Sequence, residues 1–493
     1  MHPFEQHQQL LARRQFLTGS AMGLGAAALG NLVAQVHATD ADVGSKNSTI
    51  AAKAQSGLHF PAKAKRVIFL FMGGAPSQLD LYDYKPELHK QFREPLPPSV
   101  SMGQRVTAMT KGQTQLVAPS MFKFSPQGKS GLMMSELLPH LSGVADELCM
   151  IKSLHTNAIN HDPAKTAICT GSEIPGKASM GAWLSYGLGR MNENLPDFIV
   201  LSSAFWSGDQ QNIQALYSRL WGSGFLPSQY QGVKLQSVGD PILCVSNPPG
   251  LSRDVQSWTL DALSRLNGMR ADQAGDPEIL ARTQQYEMAF RMQMSVPDLT
   301  NVDDEPEETF KLYGEDARRR GSYAANCLLA RRMAERGVRF IQLYHVGWDH
   351  HQDIPRDLPL VCNDVDQPTA ALISDLKRRG LLEDTLVVWG SEFGRTVFSQ
   401  GSLKDGVYGR DHHGRCSSFW LAGGGIKGGM TYGRTDDFGY NVTENPVHIH
   451  DLNATILHCL GVDHERLTFR FQGRDFRLTD VHGRVVQDVL KNA

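Results

Sequence analysis

The chain has 493 residues, a formal net charge of -2, and 41% hydrophobic and 20% charged residues. This is the composition of an ordinary globular protein that is long enough to bury a large core. Because there is no basic surplus to displace counterions from a phosphate backbone, we expect no nucleic-acid partner. The chain has seven cysteines, an odd number, and no two of them form a CxxC pair. This argues against a disulfide framework or a thiolate zinc site.

The N-terminus has the pattern of an export signal. Arg13 and Arg14 are followed by a Phe-Leu pair and then by a run rich in glycine and alanine that extends to Ala34. This is typical of a twin-arginine signal, and the glycines make the run too weakly apolar for a stable membrane span. We therefore predict a signal over residues 1–38, a polar linker over 39–60, and a periplasmic or extracellular protein.

Between residues 61 and 490 the sequence predicts a single α/β domain. Continuous apolar runs that end in glycine or polar residues are typical of strands buried on both faces. Such runs cover residues 66–71, 198–202, 339–344, 385–389 and 417–422. Helical patterns alternate with them and cover residues 317–336, 368–379 and 448–460. The alternation predicts a doubly wound, mainly parallel sheet with helices on both faces.

The region from about residue 206 to 309 breaks this alternation. It contains two helical patterns, at 252–270 and 277–294, and ends in the acidic loop 303–308. We predict that the region is an insertion that caps the sheet and shapes the pocket. We also predict that the acidic loop is a solvated turn rather than a metal site.

The ends of the predicted strands carry an unusual concentration of histidines and carboxylates. Ligands of open α/β sheets bind beyond the carboxyl ends of the strands, so these residues are the candidates for a site. The metal-ligand candidates are His345, Asp349, His350, His351, Glu392, His412 and His413. Imidazole with carboxylate suits zinc, manganese or iron, and carboxylates also suit calcium, so the identity of a divalent metal stays open.

Two pairs of adjacent histidines occur among these candidates, at 350–351 and 412–413. Adjacent side chains point in different directions, so we expect one member of each pair to face the site and the other to support it. A histidine at a strand end can also be a hydrogen-bonded structural residue, and Glu392 could simply pair with Arg395. The same residues could therefore form a polar site with or without a metal.

Other polar side chains near the strand ends are candidates for binding a substrate. They are Ser77, Gln78 and Asp80, which follow the first strand, and Asn160, which precedes His161. Asp80 could equally cap the helix expected to follow the first strand.

Several motifs occur in a fixed order along nearly all of the chain after the signal. They are GGAPSQLD at 73–80, DYKP at 83–86, HDP at 161–163, WDHH at 348–351, SEFGRT at 391–396, GRDHH at 409–413, GGG at 423–425 and YGRTD at 432–436. The set resembles the bacterial family called domain of unknown function 1501. That family is similar to the alkaline phosphatase and sulfatase superfamily, a resemblance that implies a doubly wound α/β sandwich with a metal-assisted ester-cleaving site.

The superfamily resemblance implies that Asp and His ligands hold metals that polarise an anionic ester, which a serine, threonine or modified cysteine attacks. This chain departs from that pattern. His161 stands where sulfatases place the nucleophilic cysteine, and Lys165 stands where they place an arginine. Glu392-Phe393 replaces the usual Asp-His pair, and Met72-Gly73-Gly74 replaces the usual aspartate after the first strand. A sulfatase that uses a modified cysteine is therefore excluded.

The hypothesis that follows is an exported, metal-dependent hydrolase of sulfate or phosphate esters with an atypical site. Its substrate would be a small-molecule or glycan anionic ester. The catalytic candidates are His161, as a further ligand or a covalent nucleophile, and Lys165 and Arg395, which would offset charge on the substrate oxygens. The alternative is a catalytically inactive, sulfatase-like protein that binds anionic glycans or an envelope partner. The sequence leaves the oligomeric state open.

Overall fold

The computed structural model describes residues 58–491 apart from residues 205, 209–211, 238–240, 242–251, 402 and 405. The predicted signal and all but the last three residues of the predicted linker lie outside the described residues. The described residues belong to one compact unit, Ser56–Ala493. Within them, no helix is long and apolar enough to cross a bilayer, and the six described cysteines are buried and free.

Seventeen strands lie within the described residues. They are β1 (Arg66–Gly73), β2 (Phe124–Gln127), β3 (Leu132–Ser135), β4 (Leu148–His155), β5 (Phe198–Ser202), β6 (Val233–Lys234), β7 (Phe340–Val346), β8 (Thr385–Gly390), β9 (Gly394–Ser399), β10 (Arg410–His413), β11 (Ser417–Ala422), β12 (Met430–Tyr432), β13 (Arg434–Thr435), β14 (Val442–Glu444), β15 (Val447–His448), β16 (Phe469–Phe471) and β17 (Arg474–Phe476).

Eleven α-helices accompany the strands in the described part of the chain. They are α1 (Gln78–Leu81), α2 (Pro98–Ser101), α3 (Pro139–Ser142), α4 (His161–Thr170), α5 (Met180–Leu188), α6 (Arg253–Ala274), α7 (Pro277–Thr300), α8 (Glu307–Tyr313), α9 (Tyr323–Glu335), α10 (Ile354–Arg378) and α11 (Ile449–Cys459).

Nine of the strands form one central sheet. Its order is β12-β4-β11-β8-β1-β7-β5-β6, and β15 pairs with β4 as well. Every pairing in this sheet is parallel except those of β11, which is antiparallel to both β4 and β8. The mainly parallel sheet predicted from the sequence is confirmed.

Strand β1 shows why the sheet is covered on both faces. All eight of its residues are buried, and successive side chains of a strand point to opposite faces. Ile68 and Leu70 pack in a core cluster that includes α9 and α10, whereas Val67 and Phe69 pack in a second cluster that includes α4, α5 and α11. Since each face buries its own apolar layer, the architecture is the predicted sandwich of helices around a doubly wound sheet.

Two elements of this sandwich differ from the sequence prediction. The strand β4 is not predicted, because Lys152 and Ser153 interrupt its apolar run, yet it lies inside the central sheet. The helix α10 begins at Ile354 rather than at residue 368, since Asp353 caps it by accepting a hydrogen bond from the Arg356 amide at 3.2 Å. The prolines inside α10 do not end it.

A two-stranded hairpin beside the central sheet is also absent from the prediction. Strands β9 and β10 pair antiparallel, with His412 opposite Arg395 and His413 opposite Gly394. The sequence of β10 is Arg-Asp-His-His, which has none of the apolar alternation of a strand, but all four residues are buried. The hairpin therefore carries polar side chains into the interior.

The predicted insertion contains two packed helices, α6 and α7, and its acidic end contacts the sandwich through ion pairs. The Glu305 carboxylate lies 2.5 Å from both Arg331 and Arg332, and Asp304 lies 2.9 Å from Arg332. The acidic loop is therefore tied to α9 rather than simply solvated.

Four histidines pack in a row where β4, β15 and α11 meet. His155 pairs with His448 in register, and the ring centroids of His155 and His448, His448 and His450, and His450 and His482 are 5.0, 4.9 and 5.1 Å apart. Burial lowers the pKa of His448 to about 4, and the neighbouring imidazoles act in the same direction while Asp451 opposes them. We refer to these four residues as the histidine row.

The histidine row predicts a loss of stability in mild acid. A histidine whose pKa is lowered by folding takes up its proton more readily in the unfolded state, so stability falls as the pH drops from about 6.5 towards 4. His448 Nδ1 also caps α11 by accepting a hydrogen bond from the His450 amide. His448→Asn keeps a capping acceptor but removes the titration. Between pH 7 and 5 the melting temperature of this variant should fall less than that of the wild type, by about 2 °C.

The measurement is differential scanning calorimetry at both pH values, with His89→Asn at an exposed site as the matched control. Equal pH slopes for the wild type and both variants would show that the histidine row has no such effect.

Candidate metal centre

The topology brings distant segments to one edge of the sheet. The strands β4, β1, β7 and β8 run in the same direction, so their carboxyl ends share an edge, and antiparallel β11 begins there. His161 follows β4, Asp349 follows β7, Glu392 follows β8, and His412 precedes β11. Residues from four separate parts of the chain can therefore meet.

Four side chains converge at this edge, and we refer to them as the metal cluster. One ligand atom from each of His161, Asp349, His351 and His412 lies within 4.8 Å of the others. Asp349 Oδ1 is 3.1 Å from His161 Nε2, 2.8 Å from His351 Nε2 and 3.4 Å from His412 Nε2. The His351 side chain is 19% exposed while the other three are buried, so solvent reaches the cluster from the side of His351.

Each of the three imidazoles has its outer nitrogen engaged by an oxygen atom. The contacts are His161 Nδ1 to Glu392 Oε1 at 2.7 Å, His412 Nδ1 to the Ile159 carbonyl at 2.9 Å and His351 Nδ1 to Gln400 Oε1 at 2.5 Å. Carbonyl and carboxylate oxygens only accept hydrogen bonds, so Nδ1 carries the hydrogen in these rings. The Nε2 atoms then present lone pairs to the centre, which is how histidine binds metals when a second residue orients it.

A divalent cation fits this arrangement. Without a cation, the inward Nε2 atoms of His351 and His412 face each other at 3.1 Å. His161 Nε2 is buried without a hydrogen-bond partner, because Asp349 Oδ1 lies near it but outside hydrogen-bonding geometry. A tetrahedral ion with ligand bonds of about 2.1 Å separates its ligand atoms by about 3.4 Å. The separations of 2.8 to 3.4 Å around Asp349 Oδ1 are close to that value.

Asp349 stays ionised because charged and polar groups surround it. Arg395 Nη2 lies 2.5 Å from its Oδ1, and Gln214 Nε2 donates to its Oδ2 at 2.7 Å. Burial opposes ionisation, but Arg395 and the adjacent cluster histidines outweigh burial and hold the pKa of Asp349 far below its usual range. The remaining contacts of Arg395 go to the backbone carbonyls of Gly74, Ala75 and Arg410.

Gly74 allows the loop after β1 to approach Asp349 closely. Its φ is +116°, and a Cβ atom there would lie 2.6 Å from the Asp349 amide nitrogen. Only glycine tolerates both the positive φ and this backbone contact. The Gly74 amide donates to Glu392 Oε1 at 3.0 Å, so the loop also helps to hold the carboxylate that orients His161.

The two carboxylates give the cluster an affinity for positive charge. Burial opposes ionisation of Glu392, but His161 and Lys165 outweigh it and lower the pKa of Glu392. Burial alone would lower the pKa of His161, but Asp349 and Glu392 raise it. Burial lowers the pKa of His412 to about 4, and Arg395 adds to the effect although Asp349 opposes it. The cluster therefore attracts a proton at His161, and the same field attracts a metal cation.

Lys165 lies one turn after His161 in α4. Its Nζ donates to the Ala215 carbonyl at 2.6 Å. Burial lowers the pKa of Lys165, while Glu392 and Asp162 act in the opposite direction. The lysine thus brings a buried ammonium to the edge of the cluster.

Comparison with known families identifies the chain. A family model described as a protein of unknown function, DUF1501, matches residues 64–490. The chain belongs to the DUF1501 family. The match spans the whole metal cluster of this DUF1501 protein. No curated protein matches its sequence.

Three solved structures have a slight likeness to this DUF1501 protein. A protein in the alkaline phosphatase superfamily from Vibrio parahaemolyticus shares 11% identity over 83% of this chain and 69% of its own, with a TM-score of 0.35. The phosphonate monoester hydrolase from Silicibacter pomeroyi shares 12% identity over 86% of this chain and 76% of its own, with a TM-score of 0.34. A Bacteroides thetaiotaomicron protein from a locus for glycosaminoglycan metabolism shares 10% identity over 87% of this chain and 82% of its own, with a TM-score of 0.38. At these scores the likeness supports no conclusion about the site.

Four of the predicted ligands in the DUF1501 chain lie outside the metal cluster. Glu392 contacts the outer nitrogen of His161 instead of supplying a ligand atom. His345 Nδ1 accepts a hydrogen bond from Trp348 Nε1 at 2.9 Å, so its lone pair is used within the protein. His413 Nε2 contacts the Tyr440 carbonyl at 2.6 Å. His350 is buried with neither ring nitrogen hydrogen-bonded. One member of each His-His pair faces the cluster, namely His351 and His412, and the other points away.

Three of the four predicted substrate-binding residues are buried, and the fourth is exposed. Ser77 Oγ and Arg410 Nε donate to Asp80 Oδ2 at 2.5 and 2.7 Å. Gln78 exchanges two hydrogen bonds of 2.7 Å with the Arg395 backbone. These groups are buried and paired within the protein, where Gln78 supports the strand β9, which carries Arg395. Asn160 is exposed and directly precedes the ligand His161.

Three functional contacts have no signal in the sequence. They are made by Gln214, by Gln400 and by the carbonyl of Ile159. Glutamines are common surface residues and every residue has a carbonyl, so only the folded arrangement distinguishes these groups.

Metal content tests the cluster directly. We expect the purified full-length protein to carry about one divalent cation per chain by plasma mass spectrometry, since the four ligand atoms surround a single position. His412→Ala removes an inward nitrogen and should abolish this content, whereas His89→Ala at an exposed site should not. Identical metal content in the two variants would contradict the cluster.

The orienting carboxylate provides a second test. Glu392→Gln keeps an oxygen acceptor for His161 Nδ1 and the Gly74 amide but removes the negative charge. The dissociation constant for zinc should rise by about 10- to 100-fold, as for other residues that orient metal-bound histidines. The matched control is Glu444→Gln, where the carboxylate is exposed on β14. An unchanged zinc affinity in Glu392→Gln, measured by competition with a chromogenic chelator, would refute the orienting role.

Proposed function

We propose that this protein is a metal-dependent hydrolase of sulfate or phosphate esters that acts outside the cytoplasm. The observation that carries the proposal is the convergence of three inward imidazole nitrogens and the Asp349 carboxylate beside the buried ammonium of Lys165. The family resemblance described above points to the same chemistry. The predicted twin-arginine signal supports the location.

The charges around the cluster favour an anionic substrate. Asp349 and Glu392 are matched by Arg395 and Lys165, so the four formal charges cancel. A bound divalent cation would leave the site with a net charge of about +2, which attracts an anionic ester. Such a cation supplies Lewis-acid polarisation of the ester and a nucleophile from water near neutral pH.

The chain's own residues divide the remaining work. Asp349 and the three imidazoles would bind the cation, and Glu392 fixes the orientation of His161. Lys165 stabilises negative charge that develops on the substrate oxygens. Arg395 is a positioning residue in this scheme, because its contacts go to Asp349 and to backbone carbonyls.

The geometry favours attack by water over a covalent intermediate. Nδ1 of His161 contacts Glu392, and Nε2 would be used as a ligand of the cation. The Ser391 hydroxyl lies between the Met72 carbonyl and the Glu392 carboxylate, and it donates its single hydrogen to one of them. Neither side chain therefore has a free nucleophilic atom directed at a substrate.

The second candidate is a binding protein for anionic glycans or an envelope partner that has lost catalysis. The observation that favours it is the histidine at position 161, where the resemblance places a nucleophile. Such a protein would use the same positive potential without turnover.

Hydrolysis assays separate the two candidates. Aryl sulfates and aryl phosphates are incubated with the full-length protein and zinc, manganese, iron(II) or calcium. We expect turnover with at least one ester and metal, and a fall of at least about 100-fold in kcat/KM for His351→Ala and His412→Ala, because each removes a ligand. His89→Ala should retain wild-type activity. If no ester is turned over and a sulfated polysaccharide still binds to His412→Ala, the binding protein is the correct function.

A further inference from the structure

One segment of the insertion, residues 212–221, forms a wall of the metal cluster. Gln214 donates to the ligand Asp349, and the Ala215 carbonyl accepts from Lys165. Arg219 ties the segment to α4 through an ion pair with Asp162. Residues 212–221, which we refer to as the wall segment, are therefore fixed relative to the cluster at both ends.

Tyr217 is the exposed aromatic residue of the wall segment. It is 43% exposed, although Ala215 and Arg219 on either side of it both contact α4. Arg219 Cζ lies 4.3 Å from the centroid of the Tyr217 ring, and Lys165 Nζ lies 5.9 Å from it. The ring is thus held by two cations next to a site that we propose for anions, with much of its surface open to solvent.

We propose that Tyr217 determines specificity by stacking on a ring in the leaving group of the ester. The inference rests on the proposed anionic-ester site, and it names the substrate class as an anionic ester carried on a sugar or aryl ring. Lys165 links the anion site to the Tyr217 ring, since its ammonium interacts electrostatically with Glu392 and lies 5.9 Å from the centroid of that ring. An ester group at the cluster would place its ring next to the exposed ring of Tyr217.

A held aromatic ring is well suited to this role. A tyrosine loses little side-chain freedom on stacking, and its two flanking cations reduce that freedom before a ligand binds. Stacked ring pairs favour binding by about three- to tenfold beyond the burial of their area. An ester with a short alkyl group in place of the ring gains none of this.

The test compares two inert anions that differ only in the ring. Phenylphosphonate and methylphosphonate are titrated into the zinc-loaded, full-length protein by calorimetry. We expect the wild type to bind phenylphosphonate about fivefold more tightly. Tyr217→Ala should remove this preference without changing the affinity for methylphosphonate, and Tyr217→Phe should keep it. The control is Tyr286→Ala, which alters another exposed tyrosine, on α7.

Outcomes for the two proposals are distinct. A ring preference that depends on Tyr217 in a protein without turnover supports the stacking role and removes the hydrolase. Turnover without a ring preference, a preference that survives in Tyr217→Ala, or no binding of either anion overturns the stacking role. The melting temperature of Tyr217→Ala should equal that of the wild type, and Tyr217→Phe gives a second variant if it does not. Glucose 6-sulfate and phenyl sulfate then distinguish a sugar ring from an aryl ring.

Discussion

The buried pair of Asp349 and Arg395 is the interaction on which the site depends. A carboxylate in this position would be costly to ionise without a cation beside it. The guanidinium supplies that charge and also binds three backbone carbonyls, so it joins the loop after β1, the segment after β7 and strand β10. Loss of the guanidinium would leave an uncompensated charge, which typically destabilises a protein by about 3–5 kcal/mol. The pair therefore supports both the fold and the ligand set.

The imidazoles are oriented by the contacts of their outer nitrogens. Their outer nitrogens contact three different kinds of oxygen on three separate segments: the carboxylate of Glu392, the carbonyl of Ile159 and the amide of Gln400. Preorganisation of this kind lowers the entropic cost of assembling ligands around a cation. It also limits the choice of ion, because a rigid set of nitrogen and oxygen ligands selects by geometry as well as by chemical type.

The fold can be predicted from the sequence wherever an element has a clear apolar pattern. The run of β1 is apolar from Val67 to Met72, which is typical of a strand buried on both faces. Strand β4 contains Lys152 and Ser153, and β10 is polar throughout, so neither has a periodic signal although both lie in the interior. Tertiary contacts override local pattern at these places.

The candidate ligands follow from the rule that sites lie beyond strand ends, but their roles do not. Which of His350 and His351 faces the cluster depends on backbone direction after β7, and this is fixed by the close contact with Gly74. The sequence places Arg395 toward a substrate, whereas its contacts lie within the protein. Gln214 belongs to an insertion that has no recognisable motif, so its contact with Asp349 emerges only from folding.

The order of the four ligands along the chain has a consequence for how the protein matures. His412, which precedes antiparallel β11, is the last of them to be synthesised. A nascent chain that ends before residue 412 carries an incomplete set, however well its earlier strands have paired. Cation uptake by all four ligands can then occur only after about five sixths of the polypeptide has been made, since the last ligand is residue 412 of 493. A molecule that holds a cation through the complete set is one whose synthesis has passed this residue.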